Sequence, residues 1–167
     1  MATTSETLLP DALTGLSNLT GALTDVDEGT DSPDGNFLIA GVAGTDTSAT
    51  FGFPAPTVST QIEGTQTFRV YARKDATGGG APDVTAIVQQ DGATVATVIT
   101  NAGFTVETGE VFTGTVDAAS FTDLTGANVT LIVNGLSAGG GPNQRTVEPG
   151  AAQWEATLTL KRIIFYT

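Results

Sequence analysis

Five carboxylates fall within ten residues near the start of this chain. Asp25, Asp27, Glu28, Asp31 and Asp34 all lie in the stretch NLTGALTDVDEGTDSPDGNFL, residues 18–38, with no Lys or Arg among them. Carboxylates at this density are hard oxygen donors, and Ca2+ takes roughly six to eight oxygens at about 2.3–2.6 Å. Asp25, Asp27, Asp31 and Asp34 are therefore candidate calcium ligands. The spacing is not that of an EF-hand loop: Gly29 stands out of place and no bidentate Glu closes the run. The competing reading is a solvated acidic loop whose Asp side chains cap turns, with Pro33, Asp34 and Gly35 setting the turn into the first apolar run.

Other chemistries are narrower still. Glu110 and Glu155 lie on strand-like segments and raise the two-carboxylate arrangement of glycoside hydrolases, but nothing in the sequence pairs them. The chain has no histidine and no cysteine. That excludes Ser-His-Asp and Cys-His catalysis, disulfides, and zinc sites built on sulfur. The glycine runs 78–80 and 139–141 lack the Lys and Ser/Thr of a phosphate-binding loop. The expectation is a protein that is not an enzyme and has no cofactor apart from the candidate calcium.

Charge narrows the partners. Eighteen acidic residues against six basic ones give a net charge of −12, which repels phosphate backbones and argues against nucleic acid. Three of the six basic residues, Arg69, Arg73 and Lys74, fall on one predicted strand. Arg69 and Arg73 are expected to meet carboxylates of the N-terminal segment or of a neighbouring subunit. No apolar run approaches the roughly 20 residues that span a bilayer, so no membrane partner is expected. The start, MATTSETLLPDALTGL, has neither a basic n-region nor an unbroken apolar h-region, so export by a signal peptide is not expected.

The elements that must position these residues read as strands. Threonine is very frequent and there are 21 glycines, which favours short strands and tight turns. Residues 1–35 are expected as an extended arm lying on the body or on a neighbour, because Gly15, Gly21 and several threonines interrupt the leucine spacing. Residues 36–167 are expected as the sandwich domain. Strands are predicted over 37–42, 49–53, 66–74, 83–90, 94–100, 110–116, 128–134 and 151–166. In the clearest, Phe68, Val70 and Ala72 alternate with Arg69, Tyr71 and Arg73, the period-2 pattern of a sheet with one buried face. Asp91-Gly92 between two β-rich runs predicts a tight hairpin. Residues 118–124 are expected to hold one helical turn. The fold class is all-β, an antiparallel β-sandwich of jelly-roll-like form.

The end of the chain adds a surface expectation. Trp154, Ala156, Leu158 and Leu160 alternate with polar residues and point to the core. Ile163, Ile164, Phe165 and Tyr166 then break the alternation with four consecutive large side chains. A long final strand in the sheet centre accounts for part of this run, and burial against another subunit is expected to account for the rest, since free chain ends fray.

Three segments together resemble a family of small structural proteins encoded by tailed phages and prophages. They are the acidic stretch above, the strand QTFRVYARKDATGGGAPDVTAIV and the closing TVEPGAAQWEATL. The shared features are a Leu-x-Gly-x-hydrophobic-x-Asp-hydrophobic-Asp start, an Asp-Ser-Pro-Asp turn, a Phe-Arg-Val strand ending in Arg-Lys, and a Val-Glu-x-Gly-x-x-x-Trp strand. The resemblance covers residues 18 to about 160. It implies a virion component with a β-sandwich fold and no catalytic residues, made in the host cytoplasm and carried on the particle. The expected function is a capsid decoration protein that forms a homo-oligomer on the head and contacts the major capsid protein or other virion proteins. The alternatives are a tail or fibre component that contacts the host surface, and a carbohydrate-binding module. The last would need exposed aromatics, with Tyr71 and Tyr166 as its candidates.

Overall fold

The alternation that is clearest between Thr65 and Lys74 is also the best guide to the fold. In the computed structural model, which describes residues 3–57, 60–76, 78–104 and 108–160, Gln66, Phe68, Val70 and Ala72 are buried while Thr67, Arg69, Tyr71 and Arg73 face outward. The same pattern repeats along the strands of two packed antiparallel sheets. In chain order the strands are β1 (Thr3–Leu8), β2 (Ala12–Ser17), β3 (Leu19–Thr20), β4 (Ile39–Ala40), β5 (Thr47–Gly52) and β6 (Thr60–Ile62). They continue with β7 (Thr65–Lys74), β8 (Asp83–Gln90), β9 (Ala93–Gly103), β10 (Glu110–Asp117), β11 (Val129–Leu136) and β12 (Val147–Leu160).

One sheet, sheet A, has the order β1-β12-β7-β10, with β6 also paired to β12; the other, sheet B, has the order β2-β5-β11-β8-β9. From β5 onward the chain passes from sheet B to A, back to B, and then alternates through β10, β11 and β12. This is the antiparallel, jelly-roll-like β-sandwich expected from the sequence. The hairpin at Asp91-Gly92 joins β8 to β9 with φ of 52° and 78°, both in the left-handed region that a type I′ turn requires.

The core is aromatic at one end. Trp154 is fully buried, stacked on Phe68 at 5.5 Å and on Phe121 at 6.5 Å, with Phe53 edge-on at 6.1 Å. Its indole N–H donates to Oε1 of Gln66, which also accepts from the backbone of Thr157. Gln66 in turn donates to the carbonyls of Glu63 and Thr157. A second buried amide, Gln90, accepts from Thr122 and Asp123 and donates to the carbonyls of Asp123 and Ala127. Both amides are fully satisfied, which lets them sit in an apolar setting and hold loops in place.

Some predicted elements differ in extent. The N-terminal chain is extended as expected, and it lies on this chain's own body: β1 pairs with β12 and β2 with β5, so it supplies an edge strand to each sheet. The strand predicted over 37–42 shrinks to β4, because Phe37 and Leu38 turn into the body side by side instead of alternating. The helical turn is a 3-10 turn at Ala118–Ser120, capped by Asp117. The final strand starts earlier than predicted, at Val147. Ile163, Ile164, Phe165 and Tyr166 lie outside the described residues.

Candidate interaction surfaces

The outward face of sheet A is covered over β12 and β7 by its own chain. Between β3 and β4, residues 21–38 form a strap across β12 and β7. The 3-10 turn at Leu23–Asp25 starts it, with Asp25 accepting from the backbone N–H of Ala22 at 2.7 Å. The strap's Val26, Thr30, Phe37 and Leu38 are buried. The strap is fastened at several points. Thr30 donates its N–H and its hydroxyl to Oε1 of Gln153. Leu38 N–H donates to the carbonyl of Pro149 at 2.8 Å. Phe37 packs against Tyr71 at 5.2 Å, and the Arg73 guanidinium lies 4.0 Å from its ring centre.

A bulge between Pro149 and Ala151 makes room for this crossing. Gly150 at the bulge sits so close to the strap that a Cβ there would lie 2.8 Å from the Phe37 ring. Pro149 has no N–H to donate, which suits a bulged position. The Val-Glu-x-Gly-x-x-x-Trp segment, residues 147–154, is thus the floor on which the strap rests.

The predicted site residues fall as follows. Arg69 and Arg73 do meet carboxylates. Arg69 pairs with Asp31 of the strap at 2.9 Å and with Glu155 at 3.1 Å. Arg73 pairs at 2.9 Å with Glu148, whose other oxygen accepts from the backbone of Ala40. The four candidate calcium ligands are not brought together. Asp25 caps its own turn, Asp27 is exposed, Asp31 faces Arg69, and Asp34 accepts from the backbone and side chain of Asn36. Among the described residues no group of three or more carboxylates is placed to hold a metal ion. The calcium expectation is corrected on this ground: Asp25 and Asp34 are committed to local turns and Asp31 to an ion pair, while Asp27 faces solvent.

Glu110 and Glu155 are also apart. They register with Ala72 and Thr67 on opposite sides of β7, roughly 19 Å from each other at strand geometry. Neither glycosidase geometry fits that separation. Tyr71 is no open platform, since its ring is packed on Phe37 and its hydroxyl donates to the carbonyl of Thr108. Tyr166 lies outside the described residues.

Sequence reasoning missed Glu28. Both of its carboxylate oxygens are buried without a hydrogen-bond partner. Burial raises its carboxyl above the ordinary 4.5, and the nearby Asp34 charge adds to the rise.

Sheet B presents a different surface. Across its five strands Asp83 is the single Asp, Glu, Lys or Arg. Its outward face carries Thr50, Ile132, Ile87 and Thr97 in register across four strands. Ser48, Asn134 and Thr85 form the next row. A shallow pocket of about 360 Å3 opens at that end, lined by Ser17, Asp46, Ser48, Thr85, Asn134 and Leu136 among others. Asp46 there accepts from the backbone and hydroxyl of Ser137. No helix among the described residues is long and apolar enough to cross a membrane.

No family model and no curated protein matches this chain. Among solved structures it is similar to one described as "CBM4 structure and function", at 17% identity and a TM-score of 0.35, covering 77% of this chain and 87% of that one.

Proposed function

We propose that this chain is a non-enzymatic structural protein of a phage particle: a capsid decoration protein, made in the host cytoplasm, that assembles as a homo-oligomer on the head and binds the major capsid protein through its surfaces. The observation that carries this reading is the division of charge between the two sheets. Sheet A bears the ion pairs and is crossed by the strap over β12 and β7. Sheet B offers a broad face almost free of charge in a protein of net charge −12. Protein contact surfaces are depleted of charge at their centre, so this face suits docking better than it suits solvent alone. Apart from Asp83 on β8 and Asp46 at its edge, the carboxylates lie off this face and keep the particle surface soluble. Many copies on one lattice let weak single contacts hold.

The placement is tested by immunogold labelling of purified particles with antibody raised against the chain. Gold distributed over the head is the expected result. Gold confined to the tail would replace this reading with the tail or fibre alternative, and unlabelled particles would overturn both. The carbohydrate-binding alternative finds no stacking platform among the described residues, where every Phe and Trp is buried and Tyr71 is packed. Retention on a glycan array would revive it.

A further inference from the structure

We propose that the outward face of sheet B is a self-association surface, and that its occupant is the same face of a second copy of this chain. The inference rests on the structural-protein reading for its setting, but the contact can be tested without it.

The first argument is electrostatic. Two copies of net charge −12 repel at almost every orientation. Face-to-face packing through sheet B meets the least of this repulsion, since its five strands carry only Asp83, at the start of β8, and Asp46 lies at the edge of the face, where it accepts from Ser137. The second argument is the layout of the face. Ile87 and Ile132 lie side by side at its centre, in register on β8 and β11. Thr50 and Thr97 flank them in the same row, and Ser48 and Asn134 lie in the next. An apolar centre inside an uncharged polar rim is the anatomy of a protein interface.

The third argument is size. Five strands at about 4.8 Å spacing and about eight residues at 3.3 Å rise give a face of roughly 24 by 26 Å. That is about 600 Å2 per copy and about 1,200 Å2 in total, which reaches the lower range of specific interfaces. The last argument is contrast. The middle of the outward face of sheet A, over β12 and β7, is already covered by the strap, so sheet B has the larger unbroken face left for a partner. A two-fold axis through the Ile87–Ile132 centre would place the same residues on both sides, as an isologous contact requires.

The test is sedimentation of the full chain over a wide concentration range, at low and high salt. The expected result is a monomer–dimer equilibrium that tightens as salt rises, because screening removes long-range repulsion while the face itself has no ion pairs to lose. Ile87→Asp should abolish the dimer, and Thr97→Glu, at an exposed position, should weaken it about tenfold. Circular dichroism melts of both variants keep misfolding apart from lost association. The inference is overturned by a wild type that stays monomeric at every concentration, by a dimer that salt dissociates, or by folded variants that dimerise as the wild type does. Retention of the monomer on an uncharged polysaccharide, lost in Ile87→Asp, would also overturn it by naming another occupant. A monomer found on labelled heads sinks this inference and the homo-oligomer part of the proposed function, and leaves the placement on the head standing. A dimer absent from every particle sinks the decoration role alone.

Discussion

Thr30 donates both its backbone N–H, at 3.0 Å, and its hydroxyl, at 3.1 Å, to one oxygen of Gln153, which lies 123 residues further along the chain. Both residues are buried. Gln153 also donates to Glu155, which holds Arg69, which holds Asp31. The strap is therefore fastened by one buried amide at its middle and by an ion-pair chain beside it.

Gln153→Ala should loosen the strap. Two buried donors on Thr30 lose their acceptor at once, and a buried unsatisfied group costs about 1–3 kcal/mol. For a chain of this size, about 2 kcal/mol corresponds to a fall in Tm of roughly 4–8 °C. Hydrogen exchange should accelerate at Val26 and Leu38 and stay unchanged at Phe51 in sheet B. A uniform rise in exchange, or none, would show that Gln153 does not act through the strap.

The two arginines predict unequal costs. Asp31 is 69% exposed in its pair with Arg69, while Glu148 is 5% exposed in its pair with Arg73. Asp31→Ala should cost under about 1 kcal/mol, as exposed pairs do. Glu148→Ala removes a buried carboxylate that also accepts from Ala40, and leaves Arg73 beside Phe37 without its partner; about 3 kcal/mol is expected. Equal losses in urea titrations of the two variants would contradict this ranking.

Much of this was legible in the sequence, for local reasons. Period-2 patterning in residues 65–74 fixes which side chains are buried, and Asp91-Gly92 fixes a hairpin, because both depend on neighbours in the chain. The pairing of Arg69 and Arg73 with carboxylates was legible because cations on one strand in so acidic a chain must meet acids nearby. The strap was not legible. It depends on which face of β12 it crosses, a non-local choice. A signal existed: Gly150, Ala151 and Ala152 put small residues on both faces of one strand, the mark of a strand covered on both sides. The calcium reading failed for a related reason. Sequence density placed Asp25, Asp27, Asp31 and Asp34 close together along the chain, but in space Asp25, Asp31 and Asp34 each hold a different partner and Asp27 faces solvent.

That failure makes a metal prediction. Calcium at millimolar level should leave the Tm unchanged, and so should a chelator. A rise of several degrees with calcium, reversed by chelation and lost in Asp27→Asn, would mean that the segment rearranges around a metal after all.

Glu28 contributes a pH dependence of its own. Its folded carboxyl titrates above the ordinary 4.5, through burial first and the Asp34 charge as well. Between 4.5 and that higher value the folded chain holds a proton that the unfolded chain has released. By linkage, stability from this group is fully present below about 4.5, falls as pH rises through the window, and stays lost at neutral pH. Glu28→Gln removes the ionisation while keeping the shape. The variant should therefore melt higher than the wild type at pH 7, and the difference should vanish below pH 4.5. Melting curves of both proteins from pH 4 to 8 test this directly. A Glu28→Gln variant that melts lower at pH 7 would mean that the ionised carboxylate stabilises the strap, and that the buried position is not where its cost lies.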